Sequence, residues 1–244
     1  MLRERKKWNI NNFNQVNLPE LVGNVDPQKF SEFNRIRVLD LPLFMPNQGW
    51  KIPENIQNQF GDMIKKVSDH EQQFGDFEKN HYVYITVDQK IVQCGKTGRR
   101  AGAHSDAYIE QANQQLDITT ENAEYISNEI GEVTHTYITT DCFPTEFFLS
   151  CFPLVKTSCD ESLKTFDEIA EKSPIVTYPL YTILRLDPFM VHRCAIATET
   201  RERTFVKISI SKKRYARKGN TINPQFVYDW DMKARSPENR NHPW

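Results

Sequence analysis

Alternation of apolar and polar positions with a period of two runs through most of the second half of the chain and predicts a mostly β protein. The clearest case is 203–211. There Thr204, Val206, Ile208 and Ile210 fall on one side of an extended chain, and Arg203, Phe205, Lys207, Ser209 and Ser211 on the other. One face should meet a dry layer while the other lines a polar pocket. Residues 82–87 (YVYITV) are rich in aromatic and β-branched side chains, and 88–90 read as a turn into a second strand at 91–94, which predicts a hairpin. Further strands are expected at 135–140, 145–152, 175–186 (one or two, around Pro179) and 191–197, with Asp187 and Pro188 forming a turn. The run 35–43 is strand-like but interrupted by Pro42, which predicts an edge strand. In 53–74 the period changes: Ile56, Phe60, Ile64 and Val67 form one apolar stripe, while Lys65, Lys66, Asp69 and Glu71 are expected to face water. This is a helix bracing the outside of a sheet. A short polar helix is expected around 160–172, and 107–131, polar throughout, reads as helix or loop.

At 244 residues the chain is long enough for one large domain, with 1–30 as a partly ordered arm and 213–244 as a tail packing back onto a core at about 80–212. Lysine and arginine number 31 against 32 acidic residues, so no global basic field argues for nucleic acid, although the balance does not exclude it. The cysteines Cys94, Cys142, Cys151, Cys159 and Cys194 are odd in number, scattered and without a CxxC, which fits reduced thiols and a cytoplasmic location. The basic start of the chain runs into Asn-rich sequence too polar for a signal peptide, and no apolar run reaches the roughly 18 residues of a membrane helix. A soluble protein with no membrane partner is expected.

The chemistry concentrates in Gly102-Ala103-His104-Ser105-Asp106. On an extended chain a His-x-Asp pair points both ligands to the same side, and one more imidazole completes two histidines and one carboxylate on one face of a metal. That leaves positions open for a co-substrate and dioxygen on Fe(II). His192, in a later strand, is the candidate third ligand, and His135 is the decoy. The run 95–102 has neither the spacing nor the following helix of a phosphate-binding P-loop.

His104, Asp106, His192 and then Arg203, eleven residues beyond, together resemble the Fe(II)/2-oxoglutarate-dependent oxygenases over about residues 80–212. The resemblance implies a double-stranded β-helix, a distorted jelly roll with supporting helices. It also implies Fe(II) on His104, Asp106 and His192, 2-oxoglutarate as co-substrate, and O2. The expected reaction is hydroxylation or demethylation of a substrate, coupled to release of carbon dioxide and succinate. A dicarboxylate that chelates iron at one end needs a cation at the other, and guanidinium supplies it bidentately. Arg203 is placed in that role with Arg201 as its rival. Phe205 stands where the frequent Arg-x-Ser pattern has serine, so a helper hydroxyl is expected from Ser209, Thr139 or a tyrosine.

Gln93, on the preceding strand, is a second candidate for binding co-substrate, and Arg100 a candidate for an anionic substrate. Two other classes are compatible with these residues: a non-catalytic double-stranded β-helix that binds a ligand, and a cupin-type metal enzyme without 2-oxoglutarate. Nothing in the chain chooses among a small metabolite, a free amino acid, a nucleobase or nucleoside, and a protein side chain as substrate. Oligomeric state is equally unreadable.

Overall fold

The computed structural model describes residues 2–106, 132–153 and 159–234. Among them ten strands form two antiparallel sheets. In chain order they are β1 (Glu20–Asn24), β2 (Arg37–Met45), β3 (Gly49–Trp50), β4 (Tyr82–Val92), β5 (His135–Thr140), β6 (Thr145–Phe148), β7 (Ile175–Val176), β8 (Thr182–Leu186), β9 (His192–Cys194) and β10 (Arg201–Ser211). The larger sheet has the order β1-β8-β5-β10-β4-β2-β3 and the smaller β7-β6-β9. His104 extends the smaller sheet through a bridge to His192. From β4 onward the chain passes repeatedly between the two sheets: β4, the His104 bridge, β5, β6 and β7, β8, β9, β10. This alternation is the winding of a double-stranded β-helix, the expected jelly roll.

β10 is the axis of the larger sheet. It pairs with β4 along all eleven of its residues and with β5 on its other side. Its two faces separate as the alternation predicts. Val206, Ile208 and Ile210 join Val83, Ile85, Val87, Tyr137 and Ile183 in the main core. That core is closed from outside by α1 (Pro27–Phe30) and by α2 (Glu54–Glu71), whose Ile56, Phe60, Ile64 and Val67 are all buried. Each such side chain contributes roughly 1.5–3 kcal/mol through burial. The opposite face turns toward the smaller sheet, where Phe205 packs with Ile138, Leu184, Leu186, Phe147 and Met190. A third cluster gathers Trp8, Phe13, Ala103, Phe189 and Val191 with Phe166 of α3 (Cys159–Ala170).

Several elements depart from expectation. β4 runs straight through 88–90 with no hairpin. Its polar residues have strand partners: buried Gln89 accepts from the Ile36 amide at 2.9 Å and donates to Glu32 O and Thr204 Oγ1, and Asp88 pairs with Lys90 at 2.7 Å. β2 continues through Pro42, which sits at a register shift where its missing N–H breaks no regular ladder. Residues 2–30 are more than an arm, since β1 pairs with β8 and Trp8 and Phe13 are core residues. The tail returns as expected: Thr221 exchanges hydrogen bonds with Leu39, and Asn223 donates to Pro42 O and Lys51 O. The run 107–131, Cys159's side chain, His242 and Trp244 lie outside what is described. No helix among the described residues is long and apolar enough to cross a membrane.

Candidate metal centre

The segment 102–106 is held extended from both sides. Gly102 has φ +90, and a Cβ there would lie 3.1 Å from the Asp167 carboxylate, so a side chain would meet both backbone strain and crowding. Asp167 of α3 accepts from the Ala103 amide at 2.5 Å. Ala103 is buried in the third cluster, and Ser105 donates to Pro188 O in the opposite direction from its neighbours. His104 is then fixed against β9 by a reciprocal pair of backbone hydrogen bonds to His192, each 2.9 Å. Strand alternation does the rest: with Ser105 turned away, His104 and Asp106 share a side.

The structure brings His104, Asp106 and His192 together with one ligand atom of each within 4.8 Å of the others. The two rings lie 4.6 Å apart at 51°. Each imidazole presents Nδ1 to a backbone carbonyl, His104 to Gly102 O at 3.1 Å and His192 to Met190 O at 3.0 Å. A carbonyl can only accept, so Nδ1 carries the proton and Nε2 keeps the lone pair that a metal requires. Burial, reinforced by neighbouring His192, pushes the His104 imidazole down to about 4, which keeps it neutral at physiological pH. Burial would raise the Asp106 carboxyl. Lys207, His192, His104 and Arg99 together outweigh it and hold the group ionised, well below the usual carboxylate range. Two imidazoles and one carboxylate are a donor set suited to a divalent first-row metal.

Arg203 is almost fully buried, at 2% exposure. Its Nε reaches Cys142 O at 3.4 Å, but among the described residues Nη1 has no hydrogen-bond partner and no carboxylate lies within ion-pair distance. Burial accordingly lowers the guanidinium below its ordinary range. The group sits over the Phe205 ring at 5.0 Å and under Gly98, where a Cβ would approach Nη1 to 2.6 Å. Phe205 shares a cluster with Phe147, whose ring is 5.9 Å from His192. Arg201, two residues earlier, is exposed and paired with Glu199 at 3.2 Å.

The other sequence candidates separate. Gln93 does not join the buried set: β4 ends at Val92, and Gln93 is exposed in the turn beyond it. Arg100 is exposed but lines a cavity of about 520 Å³ together with Arg99, Arg37, Thr86 and Asp88. Thr139 donates to Thr182 O at 2.5 Å and lies on the core-facing side of β5. Ser209 is on the inner face of β10, where it hydrogen-bonds Tyr215. His135 belongs to another network. Its Nδ1 is 2.8 Å from buried Glu71, which also binds Arg5 and Tyr137, and Tyr137 meets His70 at 2.8 Å. Glu71 thus lies at the buried end of α2 and does not face water, as its place off the apolar stripe predicts it should. Lys207, given no role by sequence reading, is the cation acting most strongly on Asp106; its phase with Arg203 on β10 was the available signal.

No protein-family model and no curated protein matches the chain. Among solved structures it is similar to EvdMO1, at 11% identity and a TM-score of 0.41 over 83% of this chain and 48% of that one. The chain therefore spans about half the length of EvdMO1. It is also similar to AviO1 from Streptomyces viridochromogenes Tue57, at 12% identity and a TM-score of 0.40, covering 83% of this chain and 92% of that one. A third is EvdO2 from Micromonospora carbonacea var. aurantiaca, complexed with 2-oxoglutarate, at 10% identity and a TM-score of 0.41 over 79% and 93% of the two chains.

Proposed function

We propose that this chain is an Fe(II)- and 2-oxoglutarate-dependent oxygenase. The observation that carries the reading is the coincidence, on the inner side of one jelly roll, of a His104/Asp106/His192 donor set and a buried guanidinium whose Nη1 lacks a partner among the described residues. Iron bound there would supply dioxygen activation for oxidising a substrate C–H bond, with 2-oxoglutarate leaving as succinate and carbon dioxide. The protein's own contributions are positional and electrostatic. Gly102 O and Met190 O hold both imidazoles in the tautomer that leaves Nε2 available. Lys207 and Arg99 help keep Asp106 anionic. Arg203, with no carboxylate in ion-pair distance among the described residues, receives the distal carboxylate of the co-substrate, and Phe205 and Gly98 wall that end against water.

The test is metal stoichiometry followed by co-substrate turnover. Purified protein should bind one Fe(II), or Mn(II) or Ni(II) in its place, and convert 2-oxoglutarate to succinate. His104→Ala and Asp106→Ala should each lose stoichiometric metal, and so should His192→Ala but not His135→Ala. Full metal occupancy in all three ligand variants would overturn the centre. Stoichiometric metal without 2-oxoglutarate binding would favour a cupin-type enzyme.

A further inference from the structure

Beyond Lys207 the inner face of β10 continues with Ser209 and Ser211, and their partners across the β10–β4 pairing are Tyr84 and Tyr82. Tyr215 lies over this group. Its ring stacks on Tyr84 at 3.9 Å and 4°, and its phenol hydrogen-bonds Ser209 and Ser211. From Tyr84 the contacts run outward. Tyr82 stacks on it at 5.9 Å and 18°, Trp230 of the returning tail meets Tyr82 edge-on at 6.0 Å, and Tyr228 meets Trp230 at 5.1 Å. Tyr215 and Tyr84 are buried, whereas Tyr82, Trp230 and Tyr228 are half-buried. These phenols and the indole form one unbroken file from the inner face of the larger sheet toward solvent.

The inner end of the file lies in the field of the metal centre. Ser209 is the next residue on the face that carries Lys207, the cation acting most strongly on Asp106. Burial and then Asp40 raise the Tyr215 phenol above its ordinary value, and the Asp106 carboxylate adds to them. By contrast the ring beside His192 is Phe147, at 5.9 Å, and a phenyl ring gives up an electron far less readily than a phenol or an indole. Packing alone does not call for the outer ring type. Trp230 Nε1 is buried with no hydrogen-bond partner among the described residues, a cost that phenylalanine would avoid. Arg214, paired with Asp229 at 2.8 Å, lies over the Trp230 ring at 5.2 Å and donates to Tyr82 Oη at 3.1 Å, which holds the two outer rings together.

We infer that this file is an electron relay, carrying electrons from Trp230 through Tyr82, Tyr84 and Tyr215 to the metal centre when dioxygen has been activated there with no substrate in place. The inference rests on the oxygenase reading, which supplies the oxidant: a metal-centred species formed from dioxygen as 2-oxoglutarate is decarboxylated. Each tyrosine is oxidised by its inner neighbour and reduced by its outer one, so the net loss falls on the indole. Two electrons pass inward, and two protons are taken up at the centre, where the iron returns to Fe(II) and the activated oxygen leaves as water. At the outer end the indole loses two electrons and two protons and gains the oxygen of one water, leaving a mono-oxygenated Trp230. Oxidative damage is thereby moved away from the donor set.

The experiment uses the whole protein loaded with Fe(II) and given no substrate, in two arms: 2-oxoglutarate with dioxygen, and hydrogen peroxide under argon. Metal-free protein treated in the same way is the control. Succinate is assayed, radicals are trapped by freezing and read by electron paramagnetic resonance, and peptide mass spectrometry locates added oxygen. A tyrosyl or indolyl radical and oxygen on Trp230 above the control level are expected. Tyr84→Phe preserves the stack and interrupts the relay. It should bring Trp230 oxidation down to the control level and move it to Tyr215, with Fe(II) stoichiometry and melting temperature unchanged. If that variant melts early, Tyr82→Phe, which gives up the hydrogen bond from Arg214, takes its place and should act in the same way. The inference is overturned if Fe(II) does not bind, if Trp230 is not oxidised above control, if its oxidation ignores Tyr84 and Tyr82, or if the oxygen falls on Trp8 instead. A protein that makes no succinate yet oxidises Trp230 with peroxide in a Tyr84-dependent way loses the oxygenase reading and keeps the relay.

Discussion

Two arginines separated by one residue at the start of β10 have opposite fates, and the difference decides which can bind a co-substrate. Arg201 is exposed and already paired with Glu199, so it has a carboxylate and abundant water. Arg203 is buried and has no carboxylate within ion-pair distance among the described residues, and a buried cation without an anion is a penalty that a ligand's carboxylate removes. Truncating one partner of such a charge-assisted pair costs roughly 2–5 kcal/mol. Arg203→Ala should therefore weaken 2-oxoglutarate by about 30-fold or more, while Arg201→Ala leaves it within about twofold and both retain the metal. Titrating the two variants side by side checks this. A large loss confined to Arg201→Ala would shift the co-substrate role by two residues.

At the scale of elements, α2 does more than cover the sheet. Its last residue, Glu71, is fully buried between Arg5 of the N-terminal segment and His135 and Tyr137 of β5, so one carboxylate ties three parts of the chain together. Removing it leaves Arg5, 3% exposed, with Glu132 at 4.0 Å as its remaining carboxylate among the described residues. Glu71→Ala should lower unfolding free energy by about 3–5 kcal/mol in urea titrations, and Arg5→Met in the same chain should recover part of the loss. A loss of less than about 1 kcal/mol would mean that water reaches the site. This network also shows where sequence reading stops. The stripe on α2, the two faces of β10 and the His-x-Asp pair were legible because each is a local period or a short motif. Glu71 reads locally as solvent-facing, and only the pairing of distant segments makes it a core residue. The same holds for β4, where Asp88, Gln89 and Lys90 have turn composition but find partners on β2, on β10 and in the loop before β2. Lys207 and Asp40 meet only because β2 carries a bulge. Gln93 failed for the opposite reason: the strand that would have carried it inward ends one residue earlier.

For the molecule as a whole, the burial of titratable groups sets how it responds to acid. Burial holds His81 and His104 at about 4 and also lowers His135, all beneath the ordinary value of about 6.5. In the unfolded chain these imidazoles take up protons near pH 6.5, whereas in the folded chain His81 and His104 resist until about pH 4 and His135 also takes up its proton at lower pH. Their contribution to stability is therefore intact above pH 6.5 and is lost as pH falls toward 4. The carboxylates act in the same direction in a lower window. Glu20 is held at about 2 mainly by its hydrogen bond from Arg3, and Glu71 at about 2 because His135, Arg5 and Tyr137 outweigh the effect of burial. Their contributions are present above about 4.5 and disappear as pH falls to 2. The metal-free protein should thus show a melting temperature that declines from pH 6.5 to 4 and continues to fall below that range. His81 offers the cleanest dissection, since it lies outside the donor set and binds Phe77 O at 3.1 Å and Glu132 at 3.2 Å. His81→Gln keeps a hydrogen-bonding side chain and removes one titration. It should flatten the decline between pH 6.5 and 4 while leaving the lower window unchanged, and an unaltered upper slope would show that His81 is already protonated in the folded protein.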